Sequence, residues 1–153
     1  MNPSSPGDLQ FSAHDGQLSA RDIRQQPLDT DLQIQHRVQY LIGAAQRRRV
    51  WFMYLDRANV QIPVVMPMAD FPLEVGEEDG DHVSRALARF MREVGALQVF
   101  LVWERPGGRT LRRSERGWAR EILHGCALGG VPIRAQLLSH SGGVRWLSPD
   151  DFI

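Results

Sequence analysis

From Asp29 onward the apolar positions switch repeatedly between helical and extended spacing. Ile34, Val38, Leu41, Ile42 and Ala45 share one side of a 3.6-residue turn, which predicts an amphipathic helix over 31–46 with Thr30 or Asp31 as N-cap. Val50 to Leu55 is a continuous apolar run and predicts a strand. Asp56-Arg57-Ala58-Asn59 is a turn, and Val60 to Met68 is a second strand; so short a connection implies an antiparallel hairpin. Pro63 and Pro67 cannot donate to a ladder, which restricts how that second strand pairs. Asp70-Phe71-Pro72 ends it.

Helical spacing returns over 82–94, with Val83, Leu87, Phe90, Met91 and Val94 on one stripe, Arg85, Arg89 and Arg92 away from it, and Gly95 as terminator. Leu97 to Trp103 is apolar on both faces and predicts a buried strand. A helix over 114–127 follows, with Ser114 as N-cap, an apolar face of Trp118, Ile122, Leu123, Cys126 and Ala127, and Gly129-Gly130 behind it. Val131 to Leu138 is a fourth strand, Ser139 to Gly143 a turn, and Val144 to Leu147 a short fifth strand. The resulting fold class is α/β: one domain with a mixed five-stranded sheet, a parallel centre, antiparallel edges and three main helices. Each strand–helix–strand crossover should be parallel and right-handed. The pattern leaves open whether the crossover helices share one face of the sheet or split between two.

Residues 1–28 lack such a pattern. Rich in Ser, Gln, Asp, Gly and Pro, they are expected to form a mobile tail, leaving 29–153 as the domain. Met1 to Asp8 has neither the basic nor the apolar region of a secretory signal, and no run is long enough to span a bilayer. A cytoplasmic location is the expectation. The single cysteine, Cys126, excludes an intramolecular disulfide and a cysteine-rich zinc site.

Charge narrows the chemistry. All 18 cationic side chains are arginine, against 18 acidic residues, so the chain is lysine-free and formally neutral. Schiff-base chemistry and P-loop phosphate binding both need a lysine and are excluded. The absence of a basic excess disfavours nucleic acid as partner. Arg47, Arg48 and Arg49 suit the negative end of the first helix; a phosphate or acidic partner is the alternative reading. The acidic loop Glu74, Glu77, Glu78, Asp79 and Asp81 lacks EF-hand spacing and is read as capping the next helix through Asp79 or Asp81. No cofactor motif and no metal motif occurs.

Several local strings resemble a family of bacterial domains of unknown function, found mostly in high-GC Gram-positive organisms. They are Tyr40-Leu41-Ile42-Gly43 at the first helix end, the apolar hairpin closing on Asp70-Phe71-Pro72, Val94-Gly95-Ala96, Gly130-Val131-Pro132 and Gly143-Val144-Arg145-Trp146. Ala44-Ala45-Gln46 departs from the Phe-Arg-Pro segment common there. The resemblance implies the fold and supplies no site residues.

A ligand on such a sheet belongs beyond the carboxyl ends of parallel strands. Three ends qualify: Asp70; Glu104 and Arg105 before Gly107, Gly108 and Arg109; and Ser139, His140 and Ser141. His140 is the candidate general base, with Asp70 or Glu104 to hold its tautomer. The same three side chains are also the candidates for a metal-dependent hydrolase. Arg105 and Arg109 would clamp a phosphate or carboxylate, and Gly107, Gly108, Ser139 and Ser141 would offer further donors. Each of these types is also ordinary at strand ends and turns. Arg145 and Trp146, in the last strand, are the candidate interface residues for a homodimer or another protein. The expected function is a non-enzymatic binding or protein-interaction domain. The alternative is a small enzyme on an anionic substrate, with His140 as base.

Overall fold

The computed structural model describes residues 25–153. Helix α1 spans Asp31–Leu41, strand β1 Arg49–Leu55, β2 Gln61–Ala69, helix α2 Asp79–Val94, β3 Gln98–Glu104, helix α3 Arg113–Gly129, β4 Ile133–His140 and β5 Gly143–Trp146. A 3-10 turn, Pro149–Phe152, closes the chain. The strands form one mixed sheet in the order β2-β1-β3-β4-β5. β3 and β4 are parallel, and the other neighbours among the described residues are antiparallel. The hairpin partner β1 lies between β2 and β3, so the first crossover joins strands of like direction that do not touch.

Alternation along the strands builds two cores. Val50, Phe52, Tyr54, Leu101, Trp103 and Leu138 face α2 and α3, meeting Leu87, Met91, Ala119, Ile122 and Cys126. Met53, Leu55, Phe100, Val102 and Leu137 face the other way and meet Ile34 and Val38 of α1. Both crossover helices therefore share one face, and α1 covers the opposite one. Leu28, which sequence assigns to the tail, is 2% exposed and belongs to the α1-side core; its N–H donates to the Asn59 carbonyl at 2.8 Å. The rest of the expected tail, up to residue 24, lies outside the described residues.

Local chemistry sets the ends. Thr30 caps α1 through its hydroxyl, which accepts from the Gln33 N–H at 3.1 Å. The helix stops at Leu41, short of the expected residue 46, because Gly43 takes φ +65° and its N–H turns back to the Val38 carbonyl. α2 and α3 end as expected, on Gly95 and Gly130 with φ of +77° and +72°. Their starts differ from expectation. Glu78, not Asp79 or Asp81, is the N-cap of α2, while the Asp79 carboxylate accepts from the Gly76 N–H at 2.6 Å. Arg112, not Ser114, is the N-cap of α3. On α3, Leu123 and Ala127 of the expected apolar face are exposed, and Gly125 is buried instead.

That burial reflects a close crossing of α2 and α3. A Cβ on Gly80 would lie 2.2 Å from the Glu121 carbonyl oxygen, and one on Gly125 would lie 2.4 Å from the Gly80 carbonyl oxygen. Ser84 stands opposite Gly129 in the same contact. Glycine is required where two helix backbones approach this closely. Among the described residues no helix is long and apolar enough to cross a membrane.

Candidate functional site

All three strand ends named from the sequence lie at one edge of the sheet, but they do not form one constellation. Ala69 pairs with Arg49, Arg49 with Glu104, and Glu104 with Ser139. At about 4.8 Å per strand, Asp70 stands about 10 Å from Glu104 and about 14 Å from the end of β4. Asp70 is exposed and takes φ +57°, closing the β2 end as a turn residue. It is out of hydrogen-bond reach of His140.

Glu104 is separated from His140 by the sheet itself. Phe100 and Val102 face α1, so Glu104 does too; Leu138 faces α3, and His140 follows it two residues on. The Glu104 carboxylate is 2% exposed and fully engaged. It accepts from the main-chain N–H of Gln46 at 2.7 Å and of Arg47 at 3.2 Å, from the Trp51 indole at 2.9 Å and from the Arg49 guanidinium. Burial alone would raise its pKa; the bonds from Arg49, Gln46, Trp51 and Arg47 outweigh burial and hold it below the ordinary glutamate value. Glu104 anchors the 42–49 connection to the sheet.

Arg105 also differs from its expected role. Alternation turns it toward α3, where it is 2% exposed. Its Nε meets Glu115 at 3.1 Å, and its remaining donors reach the carbonyls of Pro106, Gly108 and Thr110. It is the internal brace of the 106–110 loop, with its donors engaged by Glu115 and by that loop. Ser139 is buried and donates to the Gly43 carbonyl at 2.6 Å. Ser141 accepts from the Gly107 N–H at 2.7 Å and donates its own N–H to the Gly107 carbonyl at 3.0 Å. These bonds zip the 106–110 loop to the β4–β5 turn. Gly107 has φ +126°, and a Cβ there would lie 2.8 Å from Arg105 Nη1 and 2.9 Å from Arg112 Nη2.

The zipped loops leave a shallow groove of 540 Å³ lined by Gly107, Gly108, Arg109, His140, Gly142, Val144 and Arg145. His140 is 7% exposed, and its Nδ1 accepts from the Gly142 N–H at 3.1 Å. In the neutral ring the proton therefore resides on Nε2, which is a donor. Burial, then the positive charges of Arg109, Arg145 and Arg105, depress its pKa below the ordinary histidine value. Among the described residues no carboxylate touches the ring.

The arginines around it differ in how far they are neutralised. Arg105 is paired with Glu115. Arg145 is paired with Asp151, with Nη2 to Oδ1 at 2.8 Å and Nη1 to Oδ2 at 3.3 Å, and its Nε donates to the Arg109 carbonyl at 2.6 Å. Asp151 is pulled down to about 2, chiefly by its hydrogen bond from Arg145. Arg109 is exposed, and among the described residues its guanidinium meets no acceptor.

Arg145 thus braces the C-terminal turn, and Trp146 packs half-buried against the α1-side core. Neither is presented as a free interface anchor. Sequence reading missed Gly142 as the group that fixes His140, and Glu115 and Asp151 as the acids that neutralise two arginines. Two spacings carried a signal: Arg112 to Glu115 and Ser148 to Asp151 each place an acid three residues after a helix N-cap. Among the described residues no group of three or more His, Cys, Asp or Glu side chains comes together as a metal cluster would. Comparison with known proteins finds no family model that matches this chain, and no curated protein matches it.

Proposed function

We propose that the chain is a non-enzymatic binding domain that takes a small anionic group, a phosphate or a carboxylate, in the groove between the 106–110 loop and the β4–β5 hairpin. The observation that carries this reading is the surroundings of His140: burial and then three guanidinium groups depress it, among the described residues no carboxylate adjoins it, and one of the three, Arg109, is unneutralised. The net field in the groove is positive. An anion there would accept from the Arg109 guanidinium and from the Nε2–H of His140. Charge-assisted bonds of this kind contribute about 1.5–3 kcal/mol each.

The same geometry argues against the enzymatic alternative. A general base needs an unprotonated nitrogen toward the substrate, and the bond from Gly142 occupies Nδ1 and leaves Nε2 protonated. Neither Asp70 nor Glu104 is near enough to reverse this. Self-association through β5 also loses support, because Arg145 is spent on Asp151 and the strand has only 4 residues.

The test is a thermal-shift series with phosphate, sulfate and acetate at constant ionic strength, on the unmodified chain and on Arg109→Ala. At ten times the dissociation constant, binding should raise the midpoint by about 3–5 °C. The rise should vanish in Arg109→Ala. No rise with any anion, or an equal rise in the variant, refutes the reading.

A further inference from the structure

We propose that the chain carries a second, separate site: an apolar groove between β2 and α2 that takes a small neutral molecule with one carbonyl acceptor, hydrogen-bonded by the Tyr54 hydroxyl. The groove has a volume of 270 Å³ and is lined by Phe52, Tyr54, Met66, Met68, Leu87 and Phe90, with Pro67, Val83 and Ala86 at its borders. Among the described residues no charged side chain lines it, which favours a neutral ligand. It shares no residue with the groove around His140 and lies at the opposite edge of the sheet.

Tyr54 indicates what the ligand must offer. The residue is 1% exposed, and its ring packs on Phe90 at 5.1 Å between centroids. Yet among the described residues its hydroxyl makes no hydrogen bond, and it is not one of the side-chain polar atoms sealed inside the protein. Tyr54 is one of the residues that line the groove. Burial holds the phenol protonated, with its pKa pushed up to about 12, so it keeps an O–H to donate at neutral pH. A buried tyrosine hydroxyl ordinarily has a partner. A carbonyl entering the groove would supply it, while the polarisable Met66 and Met68 thioethers adapt to the apolar part of the ligand.

The flanking strand argues that the occupant is a small molecule rather than an added polypeptide strand. Among the described residues β2 is an edge strand, and Pro63 and Pro67 deprive it of two main-chain donors. Main-chain pairing, which gives strand addition its affinity, is thereby weakened.

The probe is 2-octanone, titrated into the full chain while the methionine methyl signals are followed by 1H–13C NMR. The proposal predicts saturable shifts at Met66 and Met68, leaving the buried Met53 of the opposite face unmoved. Tyr54→Phe, which removes only the hydroxyl, should weaken binding about fivefold, the fold-change of one neutral hydrogen bond. Ala86→Trp, at an exposed helix position, should fill the groove and abolish binding. Absence of saturable shifts, equal affinity in Tyr54→Phe, or undiminished binding in Ala86→Trp would each overturn the proposal.

Discussion

The main-chain N–H of Gly142 donates to Nδ1 of His140 at 3.1 Å, and this one bond decides what the imidazole can do. It fixes the neutral tautomer with the proton on Nε2. It also opposes protonation, because a cationic ring would lose that acceptor while gaining repulsion from Arg109, Arg145 and Arg105.

His140 should therefore titrate below the ordinary histidine value. A histidine with a depressed folded pKa binds its proton more readily in the unfolded chain, so stability is complete above about pH 6.5 and falls as the pH drops toward the folded value. His140→Asn should flatten that part of the stability profile. The check is an NMR pH titration of the ring, together with denaturation midpoints between pH 4.5 and 7.5. A titration midpoint at or above 6.5 would contradict the arrangement.

The Arg145–Asp151 pair should act in a lower pH range. Asp151 is depressed to about 2, so its contribution is present above the unfolded carboxylate value and is lost as the pH falls through about 2. Each side chain is about one-fifth exposed. We expect Asp151→Asn to cost about 1–2 kcal/mol at neutral pH, measured by urea denaturation, and to cost little below pH 2.

Glu104 should behave as a structural residue. Replacing it with alanine leaves the Trp51 indole and the Gln46 and Arg47 amides without their acceptor. We expect a loss of about 3–5 kcal/mol, the scale on which removal of one partner from a buried ionic network is felt. Urea denaturation of Glu104→Ala checks this. A change below 1 kcal/mol would mean that the carboxylate is not the anchor of the 42–49 connection.

The α2–α3 crossing gives a prediction independent of charge. A methyl group on Gly125 meets the Gly80 main chain and cannot be accommodated by rotating a side chain. Gly125→Ala should destabilise by about 1–3 kcal/mol, despite the better helix propensity of alanine. Gly108→Ala, where a Cβ meets nothing within 4 Å, is the control and should be near neutral.

These residues also mark what could be read from the chain alone. The element order and the strand pattern were legible because apolar periodicity encodes them directly, as in the run from Val99 to Trp103, which is buried on both faces. The insertion of β1 between β2 and β3 was not, because a hairpin can join a sheet by either strand. Proximity at the sheet edge was readable, and it suggested a dyad of Glu104 with His140. The face of each side chain depends on register, and the pairing of Glu104 with Ser139 puts His140 on the other side. Arg105 and Arg109 look alike in sequence; burial against Glu115 makes one a brace, and exposure leaves the other free. The four-residue spacings of Gly80 with Ser84 and of Gly125 with Gly129 fall at the close crossing, to which the sequence reading assigned no residue.

The central claim, that the groove around His140 receives an anion, is tested most directly by titrating inorganic phosphate into the 15N-labelled chain at constant ionic strength. Saturable shifts at Gly108, Arg109 and Gly142, lost in Arg109→Ala, are the predicted result. Shifts that do not saturate, that fall elsewhere, or that persist unchanged in Arg109→Ala would contradict it.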